Sequence, residues 1–289
     1  MIDSMNLFCE RLQFPQSAGE TLCAAWAALS DPAAGEREAF QTCADELFNG
    51  KGNTFLDVLA GIAARRPDIP RETLDMAFLL SCLPELQERY RRASLPADVF
   101  WETMADLRCK LTECRRVRGV WGTFVTDWYA SIFRMKCFAV GRLEYERRAF
   151  PAESFGGLKK GDLTCACHIP SSGPLTDAAV DDSLRRARAF YADVRVGDAF
   201  PVICHSWLLY PPVAALFPKD SNMARFAARF RIFDVDADPR NKDAWRVFDR
   251  PFDPENIGAL PEDTSLRRAL KQYLSEGNCM GNGYGLILA

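Results

Sequence analysis

The chain has 289 residues, 48% of them apolar, which is enough for two domains that each bury a core. Its net charge of −3 and the scatter of its basic residues argue against a nucleic-acid partner. Residues 1–4 lack the pattern of a signal peptide, and no apolar run approaches the ~20 residues of a membrane span. Eleven cysteines without a disulfide-framework spacing suit a reducing compartment, so we expect a cytoplasmic protein without a membrane partner.

Residues 1–134 show one helical pattern after another and no strand pattern. Helix starts are predicted from N-cap residues, from a capping box and from prolines at the first helical position. The predicted starts are Ser17 to Glu20, Asp31–Pro32, Asn53, Pro70 and Pro96. A further helix is predicted around the aromatic residues between Trp121 and Phe133. The sequence therefore predicts an N-terminal helical domain of six or seven helices.

The pattern changes after residue 134, and residues 135–289 mix strand and helix signals. Residues 137–146 alternate in polarity, and Gly156–Gly157 provides a hairpin turn. Later segments predict short helices near Pro211 and after Ser221, a last helix at 266–275 and a closing strand at 284–288. The predicted fold class is thus α+β, an all-helical domain (1–134) followed by a mixed α/β domain (135–289).

The stretch from Leu163 to Trp207 organises this second domain. Residues 163–169 and 201–207 are short apolar runs typical of buried strands. Between them, Thr176 can cap an amphipathic helix whose Val180, Leu184, Ala187 and Tyr191 share one face. The 37 residues between His168 and His205 leave room for a right-handed crossover, which predicts two adjacent parallel strands.

A turn of small residues links the first of these strands to the helix. It consists of Ser171, Ser172, Gly173, Pro174 and Leu175. Its uncovered backbone N–H groups and the positive end of the helix dipole suit a phosphate group. The same residues would also suit an ordinary strand-to-helix connection, because they match neither a P-loop nor a dinucleotide fingerprint.

The only two histidines of the chain, His168 and His205, end the two predicted strands, and each follows a cysteine. Neighbouring side chains on a strand point to opposite faces, so Cys167 with His168 and Cys204 with His205 make poor zinc sites. Each histidine could be structural, but strand ends beside an anion-binding turn are where open α/β sheets bind ligands. A nucleophilic Cys204 activated by His205 is a further possibility, although the two side chains face apart.

The second half of the chain resembles a GNAT-type acyltransferase domain, and the first half resembles the helical domain that accompanies it in a bacterial group of N-acyltransferases. The resemblance covers nearly the whole chain. It is carried by residues 140–146 (VGRLEYE), 168–175 (HIPSSGPL), 204–209 (CHSWLL), 221–230 and 260–266 (LPEDTSL).

This resemblance implies that acetyl-CoA or another acyl-CoA donates an acyl group, expected to be acetyl, to the amine of a small molecule. Residues 171–175 would hold the CoA pyrophosphate, and Asn222 matches an asparagine that such enzymes place near the cofactor. Two departures stand out: the turn lacks the usual Arg or Gln, and Phe226 and Phe230 stand where a tyrosine commonly protonates the leaving thiolate.

Three functions follow as alternatives from this pattern. In an acyltransferase, a general base removes the proton of the attacking amine, and His205 is the first choice, ahead of His168, Glu144 and Glu146. A non-catalytic acyl-CoA or metabolite sensor on the same fold would explain the missing tyrosine. A cysteine–histidine hydrolase would need no CoA, so co-purified CoA separates it from the other two.

Overall fold

The computed structural model describes residues 2–31 and 35–289, and the chain divides into two compact units. The first unit ends at Phe138 and the second begins at Ala139, so that the boundary lies within a strand. Pro32, a predicted first helical residue, lies outside the described residues. Within the described ranges, no helix is both long enough and apolar enough to pass through a membrane.

The first unit is helical, as predicted. Its described residues form eight helices: α1 (Ile2–Arg11), α2 (Gln16–Ser30), α3 (Arg37–Asn49), α4 (Phe55–Arg65), α5 (Arg71–Ser81), α6 (Leu83–Arg92), α7 (Ala97–Arg118) and α8 (Tyr129–Phe133). Aromatic rings build part of the core: Phe40 meets Trp26 edge-on at 5.0 Å and stacks on Phe78 at 6.0 Å. Burial of such rings stabilises the helices beyond their intrinsic propensity.

Several predicted helix starts in this unit are wrong. Helix α2 begins at Gln16 directly after Pro15, so Ser17 lies inside the helix and the predicted capping box does not form. Helix α4 begins after Thr54 rather than Asn53. The predicted sixth helix is reduced to a 3₁₀ turn at Thr126–Trp128 and the short α8. The helices predicted at Pro70 and Pro96 are present but begin one residue later, at Arg71 and Ala97, because each proline is the extended residue that precedes its helix.

The second unit is built on a six-stranded mixed sheet. Its strands are β1 (Cys137–Val140), β2 (Leu143–Ala149), β5 (Leu163–His168), β6 (Pro201–Ser206), β7 (Arg231–Asp238) and β8 (Met280–Leu288), in the order β1-β2-β5-β6-β8-β7. Strands β3 (Ser154–Phe155) and β4 (Leu158–Lys159) form a separate hairpin, whose turn uses Gly156 and Gly157 at positive φ. The predicted fold class, a helical domain followed by a mixed α/β domain, is confirmed.

Five helices connect these strands: α9 (Asp177–Phe190), α10 (Pro211–Ala214), α11 (Asn222–Ala228), α12 (Trp245–Phe248) and α13 (Ser265–Ser275). Helix α9 is the predicted crossover between β5 and β6, and the Thr176 hydroxyl caps it by accepting from the Ala179 N–H at 3.3 Å. The Ser183 hydroxyl on its buried face contacts the Val140 carbonyl at 2.5 Å and the Tyr145 hydroxyl at 3.0 Å. These bonds fix α9 against the β1–β2 hairpin.

Candidate active site

Strands β5 and β6 run parallel and are neighbours in the sheet, as predicted, but their pairing is short. The ladder joins Cys165 to Val202 and Ala166 to Ile203. The last two residues of β5 and the last three of β6 lie beyond it, so among the described residues they form no parallel pairs. Beyond the ladder no parallel pairs join the described residues of the two strands, and strand edges that lack such pairs can bind an extended ligand.

The strand register places both histidines on one face of the sheet. Glu144 of β2 lies opposite His168 of β5, and His205 of β6 lies opposite Tyr284 of β8. Because side chains alternate along a strand, His168 and His205 lie on the same side as Glu146, two residues from Glu144. One face thus carries every catalytic base that the sequence predicted.

His168 contacts a buried carboxylate. Its Nε2 lies 3.2 Å from Oε1 of Glu146, a residue that is only 5% exposed. The same oxygen accepts hydrogen bonds from Nε and Nη2 of Arg148, at 2.9 and 2.7 Å. The guanidinium therefore supplies the positive charge that keeps a buried carboxylate ionised. Sequence reasoning proposed Glu146 as a base but missed its contact with His168.

His205 has different surroundings. Its ring stacks on Tyr284, with centroids 4.0 Å apart and planes 13° from parallel. Partial removal from water lowers the pKa of His205, against the opposing effect of Asp236 and Asp243. A lowered pKa keeps this imidazole neutral at neutral pH, in the form that can accept a proton.

The predicted anion-binding turn follows β5 directly and ends at the first turn of α9. Residues 171–174 are exposed, Leu175 is buried, and Gly173 has a φ of +141°, which favours glycine. Arg142, in the β1–β2 hairpin, donates from Nη2 to the Gly173 carbonyl at 2.6 Å and from Nε to the Pro174 carbonyl at 3.3 Å. The turn lacks the cation that the family pattern places in it, and Arg142 brings one there from a distant part of the sequence.

Asn222 is the first residue of α11, where the Ser221 hydroxyl caps the helix by accepting from the Ala224 N–H at 3.1 Å. The Asn222 side-chain oxygen accepts from Nη2 of Arg225 at 2.5 Å. Ion pairs tie α11 to the start of α9: Asp177 contacts Arg225 at 2.9 Å and Arg229 at 2.7 Å. The hydrogen bond from Arg229 is the main cause that lowers the pKa of Asp177.

The two cysteines beside the histidines face the opposite side of the sheet. Cys167 and Cys204 are each 2% exposed, and their mutual hydrogen bond, together with burial, raises the pKa of Cys167. A thiol of this kind is a poor nucleophile, because only the thiolate attacks. Within the described ranges, no cluster of histidine, cysteine, aspartate and glutamate has the arrangement of a metal site.

A mixed sheet with two parallel strands that part beside a helix N-terminus, and with bases at the strand ends, defines an acyltransferase-like site. The sequence matches fit this class: residues 3–135 match an N-acyltransferase N-terminal domain, and residues 137–287 match a GNAT-like C-terminal domain. The chain therefore belongs to the acyltransferase family with a GNAT-like C-terminal domain, and the predicted resemblance and enzyme class are confirmed. No curated protein sequence matches the chain.

The fold is shared with solved acyltransferases. One structure, in complex with decanoyl-CoA and teicoplanin, has a TM-score of 0.74 at 22% identity, over 97% of this chain and 86% of that one. An acyltransferase mutant in complex with octanoyl-CoA has a TM-score of 0.76 at 22% identity, over 99% of this chain and 87% of that one. The similarity spans both units of the chain.

Proposed function

We propose that the protein transfers an acyl group from an acyl-CoA to an amine of a small molecule. The observation that carries this proposal is the gap between β5 and β6, which opens where Ser171 to Leu175 lead into α9. The strand edges beyond the last ladder pair would hold the pantetheine amides, and the N–H groups at the start of α9 would bind the pyrophosphate. Arg142 adds a fixed positive charge at the same turn.

The acyl group is proposed to be a longer chain rather than the acetyl group expected from the sequence. The basis is the ligands of the similar solved structures, which are octanoyl-CoA and decanoyl-CoA. Each buried methylene of such a chain contributes roughly 0.8 kcal/mol, so chain length can decide the choice of donor.

The acceptor is proposed to be a small molecule with a free amine. One similar acyltransferase was solved in complex with decanoyl-CoA and teicoplanin, which supports a small-molecule acceptor. The amine would attack the thioester carbonyl while a histidine on the same sheet face removes its proton. Both His168 and His205 are candidates for that role.

The test is CoA release by the purified protein from acetyl-, octanoyl- and decanoyl-CoA, with amino acids, polyamines, aminoglycosides and teicoplanin as acceptors. We expect acceptor-dependent release, at least ten-fold faster from octanoyl- or decanoyl-CoA than from acetyl-CoA. Faster release from acetyl-CoA would overturn the chain-length part of the proposal.

The same assay separates the competing functions. A hydrolase would release CoA from each donor without an amine, and native mass spectrometry would find no CoA on the protein. A sensor would bind acyl-CoA, yet release no CoA with any acceptor. Either outcome would overturn the proposed function.

A further inference from the structure

The contact with Glu146 distinguishes His168 from His205. Glu146 is 5% exposed and sits on β2, while His168 is the last residue of β5. These strands pair in antiparallel register from Glu144–His168 to Ala149–Leu163, so both side chains stand on one continuous ladder. A contact held by paired strands is fixed more closely than one between loops.

The chemistry of this contact determines the tautomer of the histidine. A carboxylate only accepts hydrogen bonds, so the Nε2 that lies 3.2 Å from the Glu146 oxygen must carry the proton. Arg148 holds Glu146 in its ionised form through two hydrogen bonds to the same oxygen. The neutral ring then carries its lone pair on Nδ1, the position from which imidazole accepts a proton.

Charged and titratable groups on the strands β2 and β6 share a sheet face with His168. Glu144, Glu146 and Arg148 stand on the same face of β2, and His205 stands on the same face of β6. Glu144 is directly opposite His168 in the register and is 2% exposed. Among the described contacts, the Glu146 carboxylate is hydrogen-bonded to the ring.

We infer that Glu146 is a positioning residue that holds His168 with its proton on Nε2, and that His168 Nδ1 is the base of the acyl transfer. This inference rests on the proposed function. The amine lone pair forms the new C–N bond, the C–S bond breaks and its electron pair leaves on the CoA sulfur. The amine proton passes to Nδ1 and then to the CoA thiolate, so the products are the amide and free CoA.

The first test reads the tautomer directly, by nitrogen NMR of the wild-type protein at pH 8, with His168→Gln to assign the signal. We expect a protonated Nε2 and an unprotonated Nδ1 on His168. In Glu146→Gln the second tautomer should become populated, because a neutral amide no longer selects the Nε2–H form. A wild-type His168 protonated on Nδ1, or a tautomer that shifts in Glu144→Gln but not in Glu146→Gln, would overturn the inference.

The second test is kinetic. Glu146→Gln should lower kcat by the ~10 to 100-fold typical of losing a partner that orients a histidine, and leave KM for acyl-CoA unchanged. The control is Asp193→Asn, which removes a carboxylate paired with Arg147 on the other face of β2 and should change neither quantity.

An unchanged kcat in a folded Glu146→Gln protein would refute the positioning role. Lack of turnover by the wild-type protein with every acceptor would refute the proposed function and the base assignment together. The tautomer measurement needs no turnover, so it distinguishes these two failures.

Discussion

The carboxyl ends of β5 and β6 each carry a histidine on the same sheet face, but the surroundings of the two rings differ. At the end of β5, His168 contacts the buried carboxylate of Glu146, and the turn of Ser171 to Leu175 begins three residues later. At the end of β6, His205 stacks on an aromatic ring, and Ser206 caps a 3₁₀ turn by accepting from the Leu208 N–H at 3.2 Å. The β5 end is thus built for ionic chemistry, whereas the β6 end is built around stacking.

This difference teaches that residue type alone does not identify a base. Histidine is the side-chain type whose ordinary pKa lies near neutrality, so residue type gave sequence reasoning no way to separate the two. A hydrogen-bonded carboxylate sets which nitrogen carries the proton, whereas a stacked ring leaves that choice to the solvent and the substrate. Changes at the β5 end are therefore expected to alter catalysis and cofactor binding most.

The largest expected effect is on turnover in His168→Gln. Loss of the base should lower kcat by the ~10² to 10⁴-fold typical of general acid–base catalysis, with acyl-CoA affinity nearly intact. The matched variant His205→Gln should lose much less. Steady-state rates with calorimetric acyl-CoA binding make the comparison, and a larger loss in His205→Gln would reverse our assignment in favour of the first choice from the sequence.

The next effect concerns the turn that follows β5. Gly173→Asp should weaken acyl-CoA binding at least ten-fold, about 1.4 kcal/mol, because it puts a negative charge beside the pyrophosphate. Gly173→Ala is the control, since it meets the same backbone strain at φ +141° without the charge, and no atom lies within 4 Å of its added Cβ. Equal affinities of the two folded variants for acyl-CoA would show that this turn does not bind the pyrophosphate.

Local sequence patterns predicted the parts of this site that are formed by neighbours along the chain. The strand 163–169, the Thr176 cap, the buried face of α9 and the parallel return strand are confirmed. Each depends on alternation, capping or helical periodicity within about a dozen residues. Helical spacing also predicts an i,i+4 pair between Asp181 and Arg185, and this is wrong: Asp181 pairs with Arg229, the residue that follows α11.

The contacts between distant residues could not be predicted. Glu146 and His168 are 22 residues apart, and they meet because β2 pairs with β5 in one particular register. Arg142 reaches the turn carbonyls across 31 residues. In the helical unit, packing also overrode local signals, since α2 begins before its predicted cap and the aromatic segment after Trp121 forms only a 3₁₀ turn and the short α8.

A smaller effect is expected from Arg142, which holds the turn in place. Arg142→Met removes the hydrogen bonds to the Gly173 and Pro174 carbonyls together with a positive charge. The expected loss is roughly 1 kcal/mol, about five-fold in Kd for acyl-CoA. Arg142→Lys should recover part of it, because lysine restores the charge but not the planar fork. Titration calorimetry measures the acyl-CoA affinity of both variants. An unchanged affinity in Arg142→Met would show that Arg142 does not contribute to cofactor binding.

The smallest effect is at the β6 end and concerns stability. Because the pKa of His205 is lowered in the fold, the unfolded chain binds more protons as the pH falls below about 6.5, the ordinary value for histidine. The contribution of the neutral ring to stability is complete above that pH and is lost as the pH falls towards the lowered pKa.

The melting temperature of His205→Gln should therefore fall less than that of the wild-type protein between pH 7 and pH 5. Tyr284→Leu should show the same reduced sensitivity, since it uncovers the stacked ring. The contrary outcome is a constant difference in melting temperature between the wild-type protein and His205→Gln over this range. It would show that stacking does not disfavour the imidazolium.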